Sequence, residues 1–253
     1  IPISLLLGQA LAAPPTFKKA PRIEKNPNPK VPLAAIVNFE ASEPVTTKLT
    51  VTDGDRTWTL EYAPERNAQT GLPVVGMKYG RDHRVNVTIT NHAGESASTE
   101  TALEYSTPKQ PNDPTLIPPV KIIASDPDRM EPGCTLASLR RNLSFRGARG
   151  GGRAGASFGL LAAFDPKGEI VWSYYGDARI SDVEPLANGN ILYLTTDFTA
   201  VEIDLLGNTV GKRAFESISS SNRTAVVLAG PNSRMPLRMP SMEAIFVPSR
   251  KAW

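Results

Sequence analysis

The stretch FGLLAAFDPKGEIVW at residues 158–172 has a counterpart in TAVEIDLLGNTV at residues 199–210. In each copy an apolar run leads into Asp-x-x-Gly, and a second apolar run follows. A hairpin that recurs about every 40 residues has the spacing of β-propeller blades. Three positions are identical at a separation of 39 residues: Asp165 and Asp204, Gly168 and Gly207, Val171 and Val210.

The residues between the two copies supply the remaining strands of one repeat. Residues 180–185 and 191–195 are strand-like, and Ala187-Asn188-Gly189-Asn190 is a turn between them. One repeat therefore contains four strands, which is the content of one blade. A propeller needs at least four blades. We therefore predict that residues 120–212 hold the first blade or blades of an incomplete β-propeller.

The N-terminal half shows short alternating strands separated by turns. Residues 46–52 and 57–62 alternate polar and apolar side chains around Asp53-Gly54-Asp55, a strong hairpin signal. Residues 84–90 alternate again, and 33–39 form an apolar strand. This pattern predicts an antiparallel immunoglobulin-like β-sandwich at residues 31–106. The fold class is therefore all-β, a sandwich followed by an incomplete propeller.

Two proline-rich segments are predicted as linkers, because proline interrupts regular elements. The first covers residues 13–30 and includes Asn26-Pro27-Asn28-Pro29. The second covers residues 107–119 and should be extended and semi-rigid.

The first and last segments have different patterns from the rest. An apolar run at residues 3–7 is followed by Ala10-Leu11-Ala12, which is typical of a signal peptide. We predict that residues 1–12 are the remnant of such a peptide and that the protein is periplasmic or secreted; a buried strand is the alternative. Residues 213–253 keep no regular period and are interpreted as a frame-shifted or truncated gene end, with an irregular tail as the alternative.

Composition excludes several classes of function. The net charge is +3, but residues 211–253 carry seven basic and two acidic side chains, so the excess is not spread over a folded surface. Nucleic-acid binding is therefore not expected. The sequence contains no apolar run of about 20 residues, which predicts no membrane span. A single cysteine and two histidines leave no disulfide framework and no metal site, and no cofactor is predicted.

Together these features resemble the bacterial aryl-sulfate sulfotransferases. The resemblance covers roughly residues 26–212 and lies in the order of sandwich, proline linker and blades. It rests on residues 28–35, 67–74, 159–172 and 186–190. It implies an exported enzyme that transfers a sulfuryl group from a phenolic sulfate donor to a phenol acceptor through a sulfohistidine. A homo-oligomer is compatible with it.

The sequence departs from this family at the histidines. The family carries its channel histidines in inner strands before an x-Asn-Gly turn, and Ile180–Glu184, which precedes such a turn here, has none. His83 and His92 lie in the sandwich and are predicted to be solvent-exposed. No catalytic residue is therefore assigned, the substrate-binding residues stay unassigned, and this fragment is predicted to be inactive. The alternative function is a secreted, non-catalytic binding or scaffold protein.

Other residues whose side chains could bind a ligand or take part in catalysis are interpreted as structural. Arg146, Arg149 and Arg153 lie in a glycine-rich stretch, which favours a flexible loop over an anion site that attracts a sulfated donor. The carboxylates of Asp182, Glu184 and nearby Asp177 favour a polar channel wall or solvated turn residues over acid–base or calcium chemistry. Ser181 has no histidine partner in the sequence around it. Cys134 is predicted to be a small buried strand residue.

Overall fold

The structure is a computed structural model that describes residues 13–66, 68–114, 116–124, 133–139 and 158–214. In these ranges the regular structure is β-strand apart from one 3-10 turn at Ala68–Thr70, which confirms the all-β class. No helix within them is long and apolar enough to cross a membrane. The predicted signal-peptide remnant and residues 215–253 of the predicted tail lie outside the described residues.

Residues 17–106 form two antiparallel sheets that pack face to face. The strands are β1 Phe17–Lys25, β2 Ala35–Ala41, β3 Thr46–Thr52, β4 Thr57–Tyr62, β5 Leu72–Val74, β6 Asp82–Thr90, β7 Ser96–Ser98 and β8 Leu103–Ser106. One sheet has the order β1-β2-β5, and the other has the order β4-β3-β6-β7 with β8 also paired to β6. Apolar side chains from both sheets, including Phe39, Leu49 and Val87, share one buried cluster.

The β3–β4 hairpin has the bounds that the alternating sequence predicts. The Asp53 Oδ1 atom accepts hydrogen bonds from the backbone amides of Asp55 at 3.1 Å and Arg56 at 3.0 Å. Gly54 adopts a φ of 88°, a conformation that costs glycine little and other residues more. The polar side chain and the glycine together fix the turn that sets the register of the two strands.

The segment predicted as the first linker instead contains β1. This strand pairs only with β2 and is an edge strand, so Pro21 costs no central hydrogen bond. Most of its side chains are exposed, which is why no apolar alternation marks it in the sequence. The sandwich therefore begins at Phe17 rather than at residue 31.

The second proline-rich segment is packed against the folded body. Ile117 is buried in a cluster with Leu33, Leu160, Ala162 and Ile170. The prolines predict an extended, semi-rigid linker. The segment differs from that prediction because the buried Ile117 side chain anchors it to the core.

The second half of the described chain forms two further antiparallel sheets. The first, with order β11-β10-β9, consists of β9 Thr135–Leu139, β10 Gly159–Phe164 and β11 Ile170–Gly176. The second, with order β12-β13-β14-β15, consists of β12 Ile180–Pro185, β13 Ile191–Thr195, β14 Thr199–Ile203 and β15 Thr209–Ala214. The four strands predicted for one repeat thus lie side by side in one sheet, and β15 extends two residues into the predicted tail.

The repeated Asp-x-x-Gly turns have the same hydrogen bonds. The Asp165 Oδ1 atom accepts from the amides of Lys167 and Glu169, and the Asp204 Oδ1 atom accepts from the amides of Leu206 and Asn208. A register shift precedes each turn at positions 39 residues apart. The repeat in the sequence therefore corresponds to a repeated turn structure, with the same hydrogen bonds and the same register shift.

Candidate functional site

The sandwich meets the β10–β11 hairpin through a buried ion pair. The Lys78 Nζ atom lies 2.9 Å from the Asp165 carboxylate, and it also bonds to the Glu169 carboxylate. The Lys78 and Asp165 side chains are each 7% exposed. The junction therefore carries one excess negative charge and no free positive charge, because one ammonium group faces two carboxylates.

The pKa of Lys78 lies above its usual value of 10.5. Burial lowers the pKa of this amine, but the hydrogen bonds to Glu169 and Asp165 outweigh the loss of hydration. The ammonium group therefore stays protonated. Since a nucleophilic or basic lysine needs a lowered pKa, Lys78 is a structural cation rather than a catalytic amine.

Hydroxyl groups continue the junction beside Lys78. The Tyr79 hydroxyl bonds to the Ser173 hydroxyl at 2.9 Å and to the Tyr175 hydroxyl at 3.1 Å. The Tyr175 amide also donates to the Lys30 carbonyl at 2.8 Å. These contacts attach strand β11 to two segments of the sandwich domain.

The second hairpin is held by the Asn-Pro segment that was predicted to be part of a linker. The buried Asn26 amide donates to the Leu206 carbonyl at 3.0 Å and to the Val31 carbonyl at 3.2 Å. A Cβ atom placed on Gly207 would lie 2.6 Å from Val31 Cγ2 and 2.9 Å from Asn28 Nδ2. Only glycine leaves room at this position for the Val31 and Asn28 side chains.

The predicted channel strand β12 presents its polar side chains to solvent. Ser181, Asp182 and Glu184 are exposed, and the Ser181 hydroxyl donates to the Leu194 carbonyl at 2.9 Å. Asp177 is also exposed and pairs with Lys30. These side chains form no catalytic arrangement with a histidine, because neither histidine lies on β9–β15.

Comparison with known proteins identifies the sandwich. Residues 22–108 match the model of the arylsulfotransferase Ig-like domain. This part of the chain is similar to the Ig-like domain of arylsulfotransferases. The match confirms the family resemblance of the N-terminal portion and the immunoglobulin-like sandwich. It ends before β9. No curated protein matches the chain significantly.

The two histidines of the Ig-like domain lie in different environments. His92 is exposed in the turn after β6, as predicted. His83 is 1% exposed, so its prediction as a surface residue was wrong. The side chain shares the inward face of β6 with Val85, Val87 and Ile89, and this period of two was the available signal.

Cys134 is buried, as predicted, and it lies directly before β9 rather than within a strand. Burial raises the pKa of its thiol to about 11, so the thiol is protonated and poorly reactive near neutral pH. No group of three or more potential metal ligands occurs among the described residues. The predicted arginine loop with Arg146, Arg149 and Arg153 lies outside them.

A cavity of about 450 Å3 opens beside the junction, between the proline-rich segment and the β10–β11 turn. Its wall includes Tyr79, Pro111, Pro118 and Ile170. Lys78 is the cation of the described wall, and its charge is already neutralised by two carboxylates. The cavity therefore offers a sulfate ester no free positive charge.

The junction residues were missed in the sequence because their partners are distant. Lys78 and Asp165 are 87 residues apart by number, and no local pattern links them. The Asp-x-x-Gly repeat identified Asp165 and Gly207 as turn residues, but it did not indicate that both turns face the Ig-like domain.

Proposed function

We propose that this chain is the supporting N-terminal portion of an exported arylsulfotransferase. In this proposal, the Ig-like domain holds the first sheets of a β-propeller. The channel of that propeller transfers a sulfuryl group from a phenolic sulfate ester to a phenol. The repeated sheet geometry is the observation that supports the propeller part of the proposal.

The first sheet contacts the second sheet through one of its two faces. In the first sheet Leu161 pairs with Ser138, and 39 residues later Ala200 pairs with Leu194. Ser138 is thus the counterpart of Leu194. The Ser138 hydroxyl donates to the Ile180 carbonyl of the second sheet at 3.0 Å, so this face of the first sheet is an inter-sheet contact.

Among the described residues, the equivalent face of the second sheet is less buried. Leu161 and Ala163 are fully buried, but their counterparts Ala200 and Glu202 are half-exposed, as is Leu194. Strand β10 is buried on both faces, whereas β14 alternates between buried and half-exposed residues. This arrangement favours a further sheet on the open face, as in the radial packing of propeller blades.

Sulfuryl transfer through a sulfohistidine needs an imidazole that meets the substrate. A neutral imidazole is a good nucleophile near pH 7. Both histidines of the chain lie in the Ig-like domain. His83 is buried there and His92 is on a turn outside the two blade-like sheets. We therefore assign the chain a supporting role and place no catalytic step on its residues.

The activity of the purified 253-residue chain tests this assignment. We expect no 4-nitrophenol release from 4-nitrophenyl sulfate with phenol as acceptor, and no 80 Da adduct on either histidine by mass spectrometry. A bacterial arylsulfotransferase serves as the positive control. Turnover above the rate without protein, or a sulfated His83 or His92, would contradict the supporting role.

The second candidate is a secreted binding or scaffold protein without catalysis. The absence of histidine from β12 favours it, since the predicted channel strand carries Ser181, Asp182 and Glu184 instead. The genomic sequence around codons 1–253, translated in all three frames, separates the two candidates. Further Asp-x-x-Gly repeats with a histidine before an x-Asn-Gly turn support the transferase, and their absence supports the scaffold.

Export is part of the proposal. It is motivated by the apolar residues 3–7 and the small residues 10–12. Fractionation of the producing cells tests it: we expect the chain in the periplasm or the medium, and retention in the cytoplasm would contradict export.

A further inference from the structure

Within the described part of the chain, four buried polar atoms without hydrogen-bond partners lie in one region of the Ig-like domain. They are Asp53 Oδ2, Arg56 Nε, His83 Nδ1 and His83 Nε2. The side chains of Asp53 and His83 are each 1% exposed. We call these three residues the Asp53 cluster. Because unpartnered buried polar groups are costly, such a concentration in one place points to a functional reason.

Trp58 connects the members of the cluster. The Arg56 guanidinium lies 4.3 Å from the centre of the Trp58 ring. The His83 ring meets the Trp58 ring edge to face, with centroids 6.0 Å apart. The Arg56 Nε atom lies 3.5 Å from Asp53 Oδ2, which is an ion-pair distance without a hydrogen bond.

The same residues hold the segment that leads to Lys78. Arg56 donates to the Gly76 carbonyl, and the Trp58 indole donates to the Val75 carbonyl at 2.9 Å. A Cβ atom on Gly76 would lie 3.0 Å from the Trp58 indole nitrogen. The β3–β4 turn is therefore attached to residues 75–76, just before the lysine that binds the β10–β11 hairpin.

The charged groups that act on His83 come from the β3–β4 turn. Asp53 favours the protonated imidazole, and Arg56 opposes it. Strand β8 pairs with β6 at this point, and Tyr105 occupies the position opposite His83. The side chain of Arg81 pairs with Asp55 at 3.2 Å.

We propose that the Asp53 cluster is an acid-sensitive contact that releases the β3–β4 turn from residues 75–76 when His83 gains a proton. The imidazolium competes with Arg56 for the Asp53 carboxylate. It also places a second positive charge beside the guanidinium. Both effects weaken the attachment of Arg56 to the Gly76 carbonyl, and hence the support of the Lys78 segment.

The direction of the pH dependence follows from the burial of His83. Desolvation lowers the pKa of His83 below its usual 6.5, although Asp53 partly opposes this. The unfolded chain then binds the proton first as the pH falls. The contribution of His83 to the stability of the fold is therefore complete above pH 6.5, and it is lost as the pH falls through the folded-state pKa.

Nuclear magnetic resonance of the full chain tests the proposal. The two imidazole signals are followed from pH 8 to pH 4.5 and assigned with His92→Gln, an exposed matched control. 5-Fluorotryptophan reports on Trp58 in the same samples. We expect His83 to titrate below 6.5, and the Trp58 fluorine signal to shift with the same midpoint in the parent chain and in His92→Gln.

Three variants separate the cluster from a general acid effect. Asp53→Asn should lower the His83 pKa further, Arg56→Gln should raise it, and His83→Gln should abolish the pH-dependent shift of the Trp58 signal. Equal Trp58 titration in His83→Gln would overturn the proposal. If the variants do not fold, the parent chain decides: a Trp58 signal that does not follow His83 overturns it as well.

Discussion

Replacing Lys78 with methionine should destabilise the protein by about 3–5 kcal/mol, the usual cost of removing one partner from a buried ion pair. Methionine keeps the apolar stem but leaves the Asp165 carboxylate, 7% exposed, without its cation. Urea unfolding, followed by circular dichroism, measures the change in the free energy of unfolding.

Lys30→Met is the matched control for this prediction. Lys30 pairs with Asp177 where the two side chains are 36% and 83% exposed. Exposed pairs contribute about 0–1 kcal/mol, so this variant should remain close to the parent. Adding Asp165→Asn to Lys78→Met should recover part of the loss, because it removes the stranded charge. Equal stability of the two lysine variants would contradict the junction described above.

Gly207→Ala should also cause a large loss of stability. Its φ of 82° costs an L-residue about 1–2 kcal/mol. The new Cβ atom would also lie 2.6 Å from the buried Val31 side chain, and such overpacking adds about 1–3 kcal/mol. The expected fall in melting temperature, by calorimetry, tests whether the second Asp-x-x-Gly turn packs against the Asn-Pro segment.

Gly54→Ala controls for the backbone conformation alone. Gly54 has a φ of 88°, and no atom lies within 4 Å of the Cβ position there. We expect this variant to lose only the conformational part, about 1–2 kcal/mol. Similar losses for the two alanine variants would show that Gly207 makes no close contact with residues 28–31.

The sequence predicted elements whose signals are local. Strands β3, β4, β12, β13 and β14 have the predicted bounds because alternation or apolar runs end at clear turns. Strand β1 was missed because an edge strand with exposed, charged side chains carries no apolar period. Strand β5 was missed because three buried residues are too few to show one.

The candidate site depended on contacts that no local pattern records. Asp165 was recognised as a turn residue, but its pairing with Lys78 joins two parts of the fold. His83 was assigned to the surface although Val85, Val87 and Ile89 gave the inward face of its strand. Polar residues are mostly exposed, and this general rule led to the surface assignment although the period of two places His83 on the buried face of β6.

The junction gives the Ig-like domain a physical role. One buried cluster contains residues of the sandwich, such as Leu49 and Val87, together with Trp172 and Tyr193 of the two blade-like sheets. The Ig-like domain and the sheets therefore share a core rather than only a linker. Our central claim is that they fold and unfold as one unit.

Fluorine resonance of 5-fluorotryptophan tests that claim most directly, because Trp58 lies in the Ig-like domain and Trp172 in the first blade-like sheet. Each signal is assigned with a Trp→Phe variant, and the parent chain is then titrated with urea. We predict that the folded signals of Trp58 and Trp172 disappear with the same midpoint. Loss of the Trp172 signal while Trp58 remains folded would contradict the shared core.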